Sequence, residues 1–287
     1  MIYIVIAVFN RWNFTKPCLE SLQNQTDQNF KVVVVDHGST DSTSEYITEY
    51  FPKTILLKGD KSMWWTAATN LGVKYALENG ADFILTLNND LEVAPDYISK
   101  LLIASKANSN SIIGSVAVDI DNKNSIVYAG IKWNSWFAKY HAVEINGLPY
   151  KKFSEKYEII ETDLLPGRGT LIPTEVFRSI GLFNEKNFPH YMADEDLSLR
   201  ARKIGFKCFV STSAVVYSHY QETGLVTNTK KAPRGIKFFK ESLTSIKSPN
   251  NIAVRWSWAR LNGSIPLLYF SIDFSRVLAS LIIKSFR

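Results

Sequence analysis

The sequence predicts an α/β protein: a mostly parallel, doubly wound sheet flanked by helices, followed by a helical C-terminal extension. Three observations predict it. The first 120 residues alternate short apolar runs with helix-like stretches, the pattern of right-handed β–α–β crossovers. Two of the strand-like runs, Val32–Asp36 and Phe83–Asp90, end in a carboxylate. The chain has 287 residues, 46% hydrophobic and 21% charged, enough for one large core or two small ones.

The elements follow in order. Strands are expected at 2–7, 30–36, 54–58, 83–88 and 112–118, and helices at 14–25, 42–50, 65–79 and 95–107. Met1-Ile-Tyr-Ile-Val-Ile-Ala7 lacks a basic leader and a small-residue cleavage site, so it reads as a first buried strand. Asp41-Ser42-Thr43 can cap the second helix, and Pro95 suits the first turn of the fourth. Residues 120–165 break the rhythm and read as hairpins with a long irregular loop. A strand at 167–173 enters a helix at 174–180, a helix spans 194–204, and strands follow at 207–210 and 214–218. The polar stretch 221–234 reads as a linker before a helical tail. This divides the chain into 1–220, itself split near 120, and 221–287.

Composition excludes several classes. Cys18 and Cys208 are far apart and form no C-x-x-C pair, which argues against a disulfide framework and a zinc site. No uncharged apolar run reaches 18 residues, so no standard membrane-spanning helix is expected. The net charge of +6 is uneven: residues 230–287 carry eleven Lys/Arg against Glu241 and Asp273, leaving the body slightly acidic.

In open α/β sheets, ligands bind beyond the carboxyl ends of the strands. Asp36 and Asn88-Asn89-Asp90 fall at two such ends. Asp36 could accept hydrogen bonds from a nucleobase or ribose, or merely close a turn. Asp90 could hold a hard cation beside a diphosphate. Asp194-Glu195-Asp196 opens a helix, where acids are favoured by the dipole, but three exceed what capping needs; one could serve as a general base. His219 follows a strand and is either structural or a ligand. Adjacent Trp64 and Trp65, in the block from Gly59 to Gly72, form either core packing or a sugar platform.

Five blocks together resemble family 2 glycosyltransferases, which have the Rossmann-like GT-A fold. They are Val8-Phe-Asn10-Arg11, Val35-Asp-His-Gly-Ser-Thr-Asp41, Leu87-Asn-Asn-Asp90, Gly167-Arg-Gly-Thr-Leu-Ile and Ala193-Asp-Glu-Asp-Leu-Ser-Leu-Arg200. The block Gly59 to Asn70 is similar to bacterial polysaccharide transferases, including rhamnosyltransferase-like members. The resemblance implies an inverting transfer from a nucleotide sugar, dTDP-L-rhamnose first, to a glycan or lipid-linked glycan. It assigns Asp194 as the base, with Asp196 next, and Asp90 and His219 to Mg²⁺ or Mn²⁺. Donor contacts are expected from Val8, Asn10, Arg11, Asp36, Asp60, Trp65, Asn70, Asn88, Asn89 and Arg168. Acceptor contacts are expected from Trp64, Gly167, Gly169 and Tyr191. Asn88 stands where the family has Asp, and Ala193 where Glu is common.

The tail carries aromatic and apolar stretches with interspersed bases. It is expected to lie on the inner face of a bacterial cytoplasmic membrane, to pack on the body, or to form a homodimer. No groove-reading motif points to nucleic acid. Residues 221–234 and 135–157 are candidate lids. The alternative function is a non-catalytic nucleotide-sugar or glycan-binding module of a synthase complex.

Overall fold

Strand β1 (Ile2–Val8) is buried along nearly its whole length, as a strand must be when helices cover both faces of a parallel sheet. In the computed structural model, which describes residues 1–143, 148–219 and 235–285, it lies inside a ten-stranded sheet. The elements that follow it are α1 (Trp12–Gln23), β2 (Phe30–Asp36), α2 (Thr43–Tyr50), β3 (Ile55–Lys58), α3 (Trp65–Glu78), β4 (Phe83–Thr86), β5 (Leu91–Val93), α4 (Tyr97–Ala107) and β6 (Ser111–Asp119). Next come β7 (Ile126–Tyr128), β8 (Ile131–Asn134), β9 (Lys139–Ala142), α5 (Tyr150–Lys156), β10 (Ile159–Glu161), β11 (Thr170–Pro173), α6 (Thr174–Ile180), α7 (Ala193–Lys203) and β12 (Lys207–Ser218). The chain ends in α8 (Gly235–Thr244), α9 (Ile252–Asn262) and α10 (Pro266–Ser285).

The strand order is β10-β12-β6-β11-β4-β1-β2-β3. Strands β3, β2, β1 and β4 run parallel, the expected nucleotide-binding half. Strand β11 enters antiparallel between β4 and β6, so β6 does not follow β4 directly as a simple doubly wound sheet would have it. Strand β12 returns parallel to β6, and β5 crosses over to pair antiparallel with β12. The ends of β4 and β12 and the start of β11 are thereby drawn to one edge.

Several boundaries differ from expectation. The strands expected at 207–210 and 214–218 are one twelve-residue strand with an irregularity between Ser211 and Val215. Strand β4 stops at Thr86, so Asn88-Asn89-Asp90 sits on the connection to β5 rather than in the strand. Pro95 precedes α4, whose N-cap is Asp96. Ser42, in a left-handed conformation, occupies the N-cap of α2 without a side-chain bond; Asp41 accepts instead from Thr43 N. The expected irregular stretch 135–157 contains β9 and α5, with Phe153 fully buried. The proposed 221–234 linker and lid, and the boundary at 220, fall on residues 220–234, outside the described residues.

The tail packs on the body. Trp258 of α9 is buried, and its indole donates to Tyr269 Oη at 2.9 Å. Trp133 of β8 donates to the same oxygen at 3.0 Å. Arg255 of α9 contacts both carboxylate oxygens of Asp273 on α10, at 2.7 and 2.6 Å. Contrary to expectation, α10 is long and apolar enough over Pro266–Ile283 to cross a membrane, by length and composition only.

Helix α3 is held against the sheet through Gly72. A Cβ there would stand 2.5 Å from Val5 Cγ1 and 3.2 Å from Val35 Cγ2. In an exposed helix, Gly→Ala gains up to about 1 kcal/mol. Overpacking a closed core costs roughly 1–3 kcal/mol. Gly72→Ala should therefore lower the urea unfolding free energy, by about 1 kcal/mol net; an unchanged or raised midpoint would show that helix and sheet separate easily.

Candidate active site

A cavity of about 790 Å³ opens at this edge, inside the roughly 300–1,000 Å³ range of small-molecule sites. Strand ends deliver part of its lining: Phe9 and Arg11 after β1, His37 after β2, Asn88, Asn89 and Asp90 after β4, and Ser218 ending β12. The start of α3 adds Trp64 and Trp65, the loop before β11 adds Gly167 and Arg168, and the start of α7 adds Asp194 and Glu195. A second hollow of about 440 Å³, between Trp133 and Arg202, holds none of the expected site residues.

Asp194 is held from both sides. Gly167 N donates to its Oδ2 at 2.6 Å, and Glu195 N donates to Oδ1 at 3.0 Å. Burial pushes its carboxyl above the usual range, while those amides and Arg168 oppose the shift. Glu195 is also pushed up, first by burial and then by Asp194, with Arg255 and Arg168 acting against it. Two adjacent acids thus face one cavity, and both resist ionisation. Glu195 was not singled out by sequence; its place in the acidic triplet was the available signal.

Gly167 is required by packing. A Cβ there would lie 2.4 Å from Trp65 Cζ2. The Trp65 indole N–H donates to Asn88 Oδ1 at 3.1 Å. Trp65 therefore spans the gap between the Asn88 loop and the loop that holds Asp194.

Asp90 is buried, with Oδ1 lacking any hydrogen-bond partner and Oδ2 facing Arg11 Nη1 at 3.3 Å. An unpartnered buried carboxylate oxygen at a cavity wall fits a single protein ligand to a hard cation. His219 does not join it: Nε2 lies 3.5 Å from Glu92 Oε1 and its ring meets Phe14 edge-on. Among the described residues, no three His, Cys, Asp or Glu side chains converge as a metal site. If a cation is held here, Asp90 is the residue that would hold it.

Ten expected residues meet at the cavity: Arg11, Trp64, Trp65, Asn88, Asn89, Asp90, Gly167, Arg168, Tyr191 and Asp194. The others do not line it. Val8 is fully buried inside its strand. Asp36 closes a turn, accepting from Gly38 N, Ser39 N and the Ser44 hydroxyl. Asn10 Oδ1 accepts from Thr40 N at 2.7 Å. Asp60 binds Ser62 N at 2.7 Å. Asn70 is buried and tied to Phe183 and Glu185. Gly169, at φ 80°, lets the chain pass Tyr97 and Ser115. Asp196 faces Arg200 Nε at 2.7 Å and Asn262, away from the cleft, because two residues along a helix from Asp194 turn the side chain by about 200°.

Of the other lining residues, Phe9 and His37 fall within two of the five blocks, and the run Phe188-Pro-His190-Tyr191-Met192 before the acidic triplet reads in sequence as a pocket lining. Phe9 stacks on His37 at 5.3 Å, and burial lowers the His37 pKa. His190 packs edge-on against Trp64, and burial pulls its pKa down to about 4, so it is neutral near pH 7. Tyr140, Lys247 and Arg255 reach the cavity from β9 and the tail, which sequence spacing could not place there.

Comparison with known proteins agrees with this arrangement. The dTDP-rhamnosyl transferase RfbF of Shigella flexneri is 27% identical over 208 residues, 71% of this chain and 64% of that protein. An archaeal UDP-N-acetylglucosamine–dolichyl-phosphate N-acetylglucosaminyltransferase from Methanococcus voltae is 30% identical over 117 residues, 36% of this chain and 46% of its own length. The chain thus spans less than two thirds of these relatives. Among solved structures, GalNAc-T7 with UDP, GalNAc and Mn²⁺ aligns over 96% of this chain and 54% of that one, at TM-score 0.64 and 15% identity. S. aureus TarS 1–349 with UDP aligns over 97% of this chain and 72% of that one, at TM-score 0.55 and 13% identity. These likenesses show the GT-A fold. The pattern of Glycosyl transferase family 2 matches residues 3–163, more than half of the sequence, and the chain belongs to that family.

Proposed function

We propose that this protein is an inverting glycosyltransferase that moves L-rhamnose from dTDP-L-rhamnose to a hydroxyl of a growing, lipid-linked bacterial surface polysaccharide. It would work in the cytoplasm, at the inner face of the membrane. One observation carries the reading: Asp194, held by two backbone amides, shares a cavity with the unpartnered oxygen of Asp90. The donor choice rests on the RfbF relative.

In the proposed reaction Asp194 takes the proton from the acceptor hydroxyl. The acceptor oxygen bonds to the anomeric carbon from the face opposite the leaving group, and the bond to the nucleoside diphosphate breaks. The two amides aim the carboxylate and leave a lone pair on each oxygen. Arg11, Lys61 and Arg168 line the same cavity and can balance the charge that develops on the leaving diphosphate. A Mg²⁺ or Mn²⁺ ion, where bound at Asp90, would neutralise diphosphate charge. Trp64 and Tyr191 offer faces for the acceptor sugar.

Three outcomes test this. Asp194→Asn keeps the shape and removes the base, and it retains only one of the two amide contacts because its NH2 cannot accept a hydrogen bond. Turnover should fall by roughly 10²–10⁴-fold while dTDP binding survives, and normal turnover would remove Asp194 from this role.

The pH profile gives an independent check. Protonated Asp194 cannot accept a proton, so the rate falls as pH drops through the raised pKa of the acid pair. The acid limb of kcat/KM should therefore lie above the ordinary carboxylate value of about 3.9. Arg168 lowers both acids, so Arg168→Gln should move that limb to still higher pH. A simple donor contact would raise KM and leave the limb in place.

Metal dependence is read by thermal shift. Mn²⁺ should add to the stabilisation given by dTDP, and Asp90→Asn should erase only that added part. Identical increments in both proteins would exclude Asp90 as a ligand.

A further inference from the structure

The β8–β9 tip and α10 form one exposed apolar face. Trp136 is 54% exposed, Phe137 60% and Leu267 70%, with Leu268 also exposed. Two contacts lock these elements together. Ser135 and Ser264 bond through their hydroxyls at 2.7 Å, and Arg276 Nη1 donates to the carbonyls of Phe137 and Ala138 at 2.7 Å each. The aromatic tip is therefore fixed beside the helix. Its backbone is satisfied, so the outward aromatics are not the by-product of a loose loop.

The charges around this face have one sign. Lys139 and Arg276 are exposed on β9 and α10. The sole acid within α9 and α10 is Asp273, which is buried and taken up by Arg255. Among the described residues of β8, β9 and the tip between them there is no acid. A second copy docking symmetrically would press like charges together, whereas an anionic surface would meet a matching rim.

Helix α10 also has an inward stripe that opposes spanning. Tyr269, Asp273, Val277 and Leu281, four residues apart, are buried, with Tyr269 on Trp133 of β8 and Asp273 on Arg255 of α9. To cross a bilayer, the helix would have to surrender that packing and the Arg255–Asp273 pair.

We infer that the Trp136–Phe137 tip and the outer face of α10 together form a docking face for an anionic lipid bilayer, with α10 lying in the interface plane. Trp and Phe suit the headgroup boundary, while Leu267 and Leu268 enter the acyl edge. Lys139 and Arg276 face lipid phosphates. The inference deepens the membrane-linked acceptor of the proposed function and rests on it only for its biological purpose; its geometry stands separately.

The full chain is mixed with vesicles of phosphatidylcholine, alone or with phosphatidylglycerol, and separated by flotation. Dibromo-lipid quenching is compared between wild type and Trp136→Phe. Wild type should float with anionic vesicles and not with neutral ones, less so at high salt, and should lose part of its quenching in Trp136→Phe. The fourfold variant Trp136→Ser, Phe137→Ser, Leu267→Ser, Leu268→Ser should bind at least about tenfold more weakly. Lys139→Gln should weaken binding by roughly fivefold, the effect of about one surface cation. None of these residues lines the cavity, so each variant should keep the dTDP-induced thermal shift and the melting temperature of the free protein. Wild type that stays off anionic vesicles, or a fourfold variant that floats as well as wild type, would overturn the inference. So would a concentration-dependent dimer abolished by the four substitutions, which would assign the face to a second copy. Failure of the dTDP shift in wild type would instead strike the proposed function, leaving the lipid result readable.

Discussion

The position of the Trp65 indole is the constraint on which the site depends. Its N–H fixes the Asn88 amide, and its ring occupies the space a Cβ at residue 167 would need. Gly167 then comes close enough for its own N–H to hold Asp194 at 2.6 Å. The Asn88–Asp90 loop and the Asp194 helix belong to different parts of the sequence and meet through this one ring. An aromatic of this size, buried on one face and hydrogen-bonded at its edge, fixes a distance more firmly than a polar contact between mobile loops could. The pairing of Trp64 and Trp65 therefore has two meanings: Trp65 is a spacer, and Trp64 faces the cavity beside His190 and Tyr191.

Charge balance completes the arrangement. Asp90, Asp194 and Glu195 line one cavity, and burial acts against ionising the last two. Arg168 comes from the loop beside Gly167, whereas Arg255 comes from α9, more than 50 residues after Asp194. The C-terminal helices are thus part of the wall of the site. Some of the tail's excess positive charge, visible in the sequence as a bare asymmetry, offsets acids of the slightly negative body.

The parallel half of the fold was legible because β1, β2 and β4 are buried over most of their length and read as apolar runs, and the half-buried β3 at the edge still reads Ile-Leu-Leu. The order of the sheet was not. Strand β11 is four residues long, and nothing local marks that Thr170–Pro173 will run antiparallel between β4 and β6. In the site, residues beside a glycine turn or a strand end were found at the cavity: Asn88, Asp90, Gly167 and Arg168. Asp36 shows the limit of that rule. It ends its strand as expected, yet three donors from its own turn and from α2 take up its carboxylate. Asp196 fails for a helical reason: two residues on from Asp194, it lies on roughly the opposite side of the helix from the cleft. Residues brought by long-range packing, such as Tyr140, Lys247 and Arg255, carry no local signature at all.

Arg255 also ties the cavity to the outer surface. One guanidinium lines the site and grips Asp273 on α10. Length and hydropathy alone would let α10 cross a bilayer. Withdrawing it would leave Arg255 as an unpaired charge, and breaking such a buried pair costs about 3–5 kcal/mol. The loss of Tyr269, which receives the indole N–H groups of Trp133 and Trp258, would add to that. A helix held this way keeps its inner stripe on the protein, and only its outer face remains for lipid. Any tilt that lipid imposed on α10 would act on Asp273, and through Arg255 on the cavity wall next to Glu195. The ion pair that opposes spanning thus also links α10 to the cavity wall.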